Sequence, residues 1–146
     1  MGILIDDRQK KHKILKAELK KKAQAILNAL GSPEGELSIL VVDDSEIKTL
    51  NKNYLNRSGP TNVIAFPMQE GDFSDLNPQL LGDVVISSET AGREAFHAGI
   101  TTEERLAQLL VHGILHLFGF DHDKNEQEAH QMEKKSNELL RLVESI

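Results

Sequence analysis

Residues 106–122 read L-A-Q-L-L-V-H-G-I-L-H-L-F-G-F-D-H, and this stretch decides how the chain is built. Leu106, Leu109, Leu110, Val111, Ile114, Leu115, Leu117 and Phe118 leave no polar face on a helix, and a helix apolar all round belongs in a core. Two histidines nevertheless sit in it. His112 and His116 are four residues apart, so they project from one face and both imidazoles can reach one ion. Gly119 can take a left-handed backbone and end the helix, letting the chain turn back and bring His122 to the same point. Three facial nitrogens leave a coordination position open, the pattern of a catalytic rather than a closed structural zinc site. A lone histidine in such a helix is more often a hydrogen-bonded core residue. Three imidazoles spaced H-x3-H-x2-G-x2-H are another matter, because burying them unpartnered costs roughly a few kcal/mol and a shared ion removes that cost. One zinc ion per chain, held by His112, His116 and His122, is the expectation. His12, His97 and His130 lack such company and read as surface or locally bonded residues.

The spacing matches the metzincin protease pattern H-E-x-x-H-x-x-G-x-x-H, with Gly113 where the glutamate should be. That glutamate is the general base of those proteases, so its loss argues against ordinary peptide hydrolysis. Glycine inside a helix costs about 1 kcal/mol relative to alanine. The reading is that Gly113 keeps space open beside the metal for a bulky substrate.

Around this helix the pattern predicts an α+β fold: a mixed sheet of about four strands, with about five helices packed around the buried helix 103–118. Ile3–Ile5 reads as an edge strand. Leu15, Leu19, Ala23, Ile26 and Leu30 repeat at helical steps within a helix from about Gln9 to Leu30, ended by Gly31 and Pro33. Glu36–Val42 reads as a strand, followed by a helix to about Leu55 capped by Asp44 or Ser45. Ser58-Gly59-Pro60 breaks that helix. Asn62–Phe66 and Val84–Ile86 read as short strands flanking a loop over 68–80. Ser87 or Ser88 caps a helix Glu89–Ala98, Thr101 or Thr102 starts the histidine helix, and a last helix covers about Asn125 to Val143. No linker or repeat divides residues 1–146, so one domain is expected.

Composition agrees with a soluble protein. Hydrophobic residues make up 39% and charged residues 27% of 146, and there is no cysteine, which removes disulfides and thiolate chemistry. No apolar run approaches bilayer length and the first residues lack a signal-peptide pattern, so a cytoplasmic protein with no membrane partner is expected. The net charge of −6 is uneven: residues 8–22 sum to +7 and the remainder to −13. A basic segment in an acidic chain can mark a nucleic-acid contact, although for the segment alone a solvated helix face is the favoured reading.

The motif H-G-I-L-H-L-F-G-F-D-H (112–122) resembles the signature H-G-x-L-H-L-x-G-Y-D-H of the YbeY family of bacterial endoribonucleases. L-N-K-N-Y-L-N-R (50–57) and T-N-V-I-A-F-P (61–67) resemble that family's L-N-x-x-x-R and T-D-V-L-S-F-P, and L-G-D-V-V-I-S (81–87) its L-G-D-I-V-I-S. The resemblance runs from about residue 36 to 135, with Asn62 and Phe120 standing where the family usually has Asp and Tyr. It implies a metal-dependent, single-strand-specific endoribonuclease in late ribosomal RNA maturation (the 16S 3′ end) and ribosome quality control. The small ribosomal subunit and its proteins would then be partners. It also implies that His112, His116 and His122 hold the metal and that Arg57 serves the active site beside His112. Lys52 and the lysines of residues 10–22 are the material for RNA contact. Asp121 can orient a ligand imidazole or cap the turn after Gly119, while Asn62 and Asp83 are weaker proton-acceptor candidates. A metallohydrolase on a peptide or other substrate, and a non-catalytic ribosome-assembly factor with structural zinc, are the alternatives.

Overall fold

A computed structural model describes residues 2–68 and 79–146. Along the chain run β1 (Ile3–Asp7), α1 (Lys16–Ala29), β2 (Glu36–Val42), α2 (Asp44–Leu55), β3 (Val63–Pro67), β4 (Leu80–Ser87), α3 (Ser88–Ala98), α4 (Thr102–Leu117) and α5 (Glu126–Glu144). The four strands form one sheet in the order β1-β2-β4-β3. The first three are parallel and β3 lies antiparallel to β4, so the expected mixed α+β sheet is what the chain forms. Pro67 is tolerated because β3 is an edge strand, where a missing amide donor breaks no ladder. No helix among the described residues is long and apolar enough to cross a membrane.

Strand alternation sorts the side chains into two apolar layers. Leu37, Ile39, Val41, Val84 and Ile86 face α1, α4 and α5 in the main core, with Val63 and Ala65 packed beside them. Val42, Ile64 and Val85 face the other way and bury Ile47 of α2, with Leu50 and Phe66 at the margin. The histidine helix is therefore central to the larger layer, where Leu110, Val111, Ile114 and Leu115 are fully buried.

Several boundaries differ from the sequence pattern for local reasons. Helix α1 begins at Lys16, not near Gln9. The Gln9 side chain accepts from the Lys11 and His12 amides at 3.0 and 2.8 Å and donates to the His12 carbonyl at 2.5 Å, closing a loop that competes with the helix. Strand β4 starts at Leu80, four residues early, because a bulge opposite Glu36/Leu37 carries pairing across Gly82. Gly82 has φ +138°, and a Cβ there would collide with the Phe66 carbonyl. Asp43, not Asp44 or Ser45, is the cap residue of α2; the Asp44 carboxylate is engaged by the Ser87 and Thr90 hydroxyls, both at 2.6 Å. Of the loop expected over 68–80, residues 69–78 lie outside the described residues.

Helix α4 starts with a capping box, Thr101 Oγ1 accepting from the Glu104 amide and Glu104 returning the bond to the Thr101 amide. It lies close on the sheet at Gly113, where a Cβ would stand 2.6 Å from Val84 Cγ1 and 3.2 Å from Val63 Cγ2. Glycine here is a packing requirement of a helix crossing two β-branched side chains. Gly113→Ala gains about 1 kcal/mol of helix propensity but forces a shift against a stiff core worth about 1–3 kcal/mol. The variant is expected to lose on the order of 1 kcal/mol in urea unfolding while still binding metal; an unchanged or higher unfolding midpoint would contradict the contact.

Candidate metal centre and its cleft

His112 and His116 project from the last two turns of α4, and the turn after it places the third imidazole. Gly119, at φ +91°, donates to the His116 carbonyl at 3.1 Å while the Phe120 amide donates to Leu115 at 3.1 Å. These are the two bonds of a Schellman cap, and Phe120 packs back against the core as such a cap favours. The chain is thereby reversed and His122 comes over the helix end. The ring centroids stand 4.5 Å (His112–His116), 5.3 Å (His112–His122) and 5.5 Å (His116–His122) apart. One nitrogen from each lies within 4.8 Å of the others. His112 Nε2 and His116 Nε2 are 3.0 Å apart, close to the roughly 3.3 Å spanned by two nitrogens on one tetrahedral zinc. The donor set fits a divalent ion of the kind that takes imidazole.

The electrostatics favour the same use. Burial first, and then the charges of His116 and His122, pull the His112 pKa down from 6.5 to about 4. Burial, then His122, lowers His116 as well. Both imidazoles are thus neutral near pH 7 and keep a lone pair for a metal. Asp123, which the sequence reading did not single out, approaches His122 Nε2 with its Oδ1 at 3.3 Å. Asp121 takes the capping alternative, accepting from the Asp123 amide at 2.8 Å in an Asx-type turn. It also belongs to a second group, Asp121–His122–Asp123, of possible ligand atoms.

The expected role of Gly113 is not met: it faces Val84 and Val63 of the sheet, about 100° around the helix from His112, and opens no space for substrate. Asp83, next to Val84, falls on the strand face that carries Val85 towards α2, away from the histidines. Arg57 is exposed in the connection from α2 to β3, and its side chain forms no hydrogen bond or ion pair with the described residues. Counted from Leu50, the L-N-x-x-x-R pattern reaches its arginine at position 55, where an exposed leucine stands; Arg57 follows two residues later, beyond the left-handed Asn56 (φ +55°). Buried Asn51 ties this loop down, accepting from the Arg57 amide at 3.2 Å through its carbonyl and donating to Gly59 at 3.0 Å through its side chain. Lys52 lies exposed in the last turn of α2.

Beside His112 a cleft of about 270 Å³ runs between α4, α5 and the start of β3. Asn62 enters it, its Nδ2 donating to both Glu94 oxygens at 3.2 Å. Arg105 bridges Glu94 Oε1 at 3.0 Å and Gln108 Oε1 at 2.7 Å. Glu94, Arg105 and Gln108 escaped the sequence reading. Two of them were within its reach, because Gln108 and Arg105 precede His112 by four and seven residues and so share its helix face. Glu94 comes from α3 and only the packed fold brings it there.

The family model described as Endoribonuclease YbeY matches residues 4–144. The chain belongs to the YbeY family. It is 50% identical to the Endoribonuclease YbeY of Geobacter sulfurreducens, over 99% of this chain and 97% of that one. It is 46% identical to the Aquifex aeolicus protein of the same name, over 92% and 85%. A Thermotoga maritima protein solved in solution superposes with a TM-score of 0.67 at 26% identity, covering 97% of this chain and 88% of that one. The YbeY signature thus coincides with the place where the three imidazoles converge.

The buried, neutral histidines carry a pH consequence for the metal-free protein. As pH falls below about 6.5 the unfolded chain takes up protons that the folded chain refuses until His112 titrates near 4. Their contribution to stability is full above that window and is lost on descending through it. Chelated protein should unfold at lower urea at pH 5 than at pH 7.5, and His112→Asn should narrow the gap; an identical gap in the variant would remove His112 from the account.

Proposed function

We propose that this chain is a zinc-dependent endoribonuclease that cuts single-stranded RNA, with ribosomal RNA of the small subunit, in its late maturation and quality control, as the substrate. The observation that carries the reading is a set of three imidazoles, with no fourth member among the described residues, one of which, His112, lines a cleft. Relatives that match it nearly end to end bear the name of an endoribonuclease.

His112, His116 and His122 would hold the ion. When bound, zinc supplies positive charge to phosphate oxygens and lowers the pKa of a coordinated water. The chain's own residues do the rest. His112 and His116 stay unprotonated near neutral pH and so do not repel the cation. Arg57, unpaired among the described residues, offers a guanidinium fork to the phosphate that becomes more negative as it is attacked. Asn51 fixes the loop that carries it. No carboxylate follows His112 as in the metzincins, which disfavours peptide hydrolysis and suits RNA, whose ribose 2′-hydroxyl is a nucleophile within the substrate. Lys52 and the basic residues 8–22 supply positive surface for an RNA strand in an otherwise acidic chain.

Metal-quantified protein incubated with single-stranded and duplex RNA is expected to cleave the former. His116→Ala should lose both zinc and cleavage; equal cleavage in that control would assign the activity to a contaminant. Arg57→Ala should retain one zinc per chain yet lose about a hundredfold in kcat, the scale of one oxyanion donor. Loss of zinc instead would make Arg57 structural. Binding to single-stranded RNA should weaken steeply between 50 and 200 mM salt, roughly in proportion to the phosphates contacted, and a flat response would count against RNA.

A further inference from the structure

The cleft beside His112 has a chemistry of its own. It shares His112 with the imidazole cluster, so whatever fills it lies within about one nucleotide of a phosphate at the metal. Its charge is balanced: the Arg105 guanidinium is held at 3.0 Å by Glu94 and shields itself from a second anion. A phosphate placed there would meet the Glu94 carboxylate along with the arginine, whereas an uncharged ring would not. The ion pair also orders the neutral groups. Both Glu94 oxygens engage Asn62 Nδ2, leaving Asn62 Oδ1 as the acceptor on offer. Arg105 engages Gln108 Oε1, leaving the two N–H groups of Gln108 Nε2 as donors. The Ser136 hydroxyl adds a group that can do either, and Leu109 and Leu140 form apolar wall. Donors and an acceptor together with two leucines in one cleft complement a nucleobase, which is polar at its edge and apolar on its face.

We infer that this cleft is a base-binding subsite for the nucleotide next to the scissile phosphate, read by Gln108 and Asn62 and held in shape by the Glu94–Arg105 pair. The inference rests on the ribonuclease reading and gives that site a sequence preference. Gln108 and Asn62 are specificity residues, and Arg105 is a positioning residue that acts through Gln108. At about 270 Å³ the space is at the lower end of small-molecule pockets, room for one ring system and not for a longer stacked run.

The test uses zinc-loaded full-length protein and a set of single-stranded oligoribonucleotides that each carry one abasic ribose around a mapped cleavage position. With the unmodified chain, one abasic position should lower kcat/KM roughly tenfold, the loss of one well-made base contact. Gln108→Glu keeps the acceptor that Arg105 uses but lacks the Nε2 donors. It should cleave the intact oligonucleotide roughly tenfold more slowly and be indifferent to the abasic position, with zinc content and Tm unchanged. Gln108→Ala should behave alike. Arg105→Lys should show a partial loss confined to that same position, with cleavage of the abasic substrate unaltered. An abasic pattern identical in the variants and the unmodified chain, or no sensitive position at all, overturns the subsite while leaving the nuclease intact. Failure of the zinc-loaded protein to cleave any RNA overturns the ribonuclease reading and the subsite with it.

Discussion

The close crossing of α4 over β4 and β3 at Gly113 is the constraint from which the rest follows. Val84 and Val63 stand where a side chain at 113 would have to go. The helix is thereby pressed onto the sheet, and its azimuth is set by that contact and by the fully buried Leu110, Val111, Ile114 and Leu115. Once the azimuth is set, the face bearing Arg105, Gln108, His112 and His116 must look towards α3, α5 and the turn after the helix. The position that in the metzincin pattern carries the general-base glutamate is here a packing element, and the same contact that excludes a side chain there positions the imidazoles.

Burial does two things at this site. It depresses the basicity of His112 and His116, so that they are neutral nitrogen donors rather than cations near neutral pH. It also makes close approach of their nitrogens tolerable, because two charged imidazolium rings at 3.0 Å would repel strongly in a partly dry surrounding. The third histidine is more exposed and is delivered by backbone hydrogen bonds, the two of the Schellman cap, with Asp121 closing the next turn. A pair on a buried helix and a third member on a hydrogen-bonded turn is the kind of arrangement that holds donor atoms in place through the fold's own contacts.

Asn62 illustrates how a neighbouring network can set the meaning of a single position. Its amide donates to both oxygens of Glu94; a carboxylate in the same place would face another at about that distance. Arg105 then balances Glu94 and reaches Gln108. Two helices and the residue just before β3 thus meet in one hydrogen-bonded set beside the three histidines, and its members are too scattered along the chain to be recognised as one feature before folding.

The sequence by itself determined what rests on local periodicity and fixed spacing. The apolar helix, the i, i+4 histidines, the glycine that ends the helix and the third histidine beyond it were all legible. So were the α+β class and most element positions, because period and capping chemistry are properties of short segments. Tertiary structure decided what depends on which faces meet. Gly113 proved to touch the sheet, Asp83 to point away from the histidines, and Glu94 to join Asn62 and Arg105. Gln9 shortened α1 through a loop anchored on Ser88, 79 residues away. A sequence specifies which side chains share a strand or helix face, but which neighbour that face meets is fixed only when several elements compete to bury their apolar surface in one core.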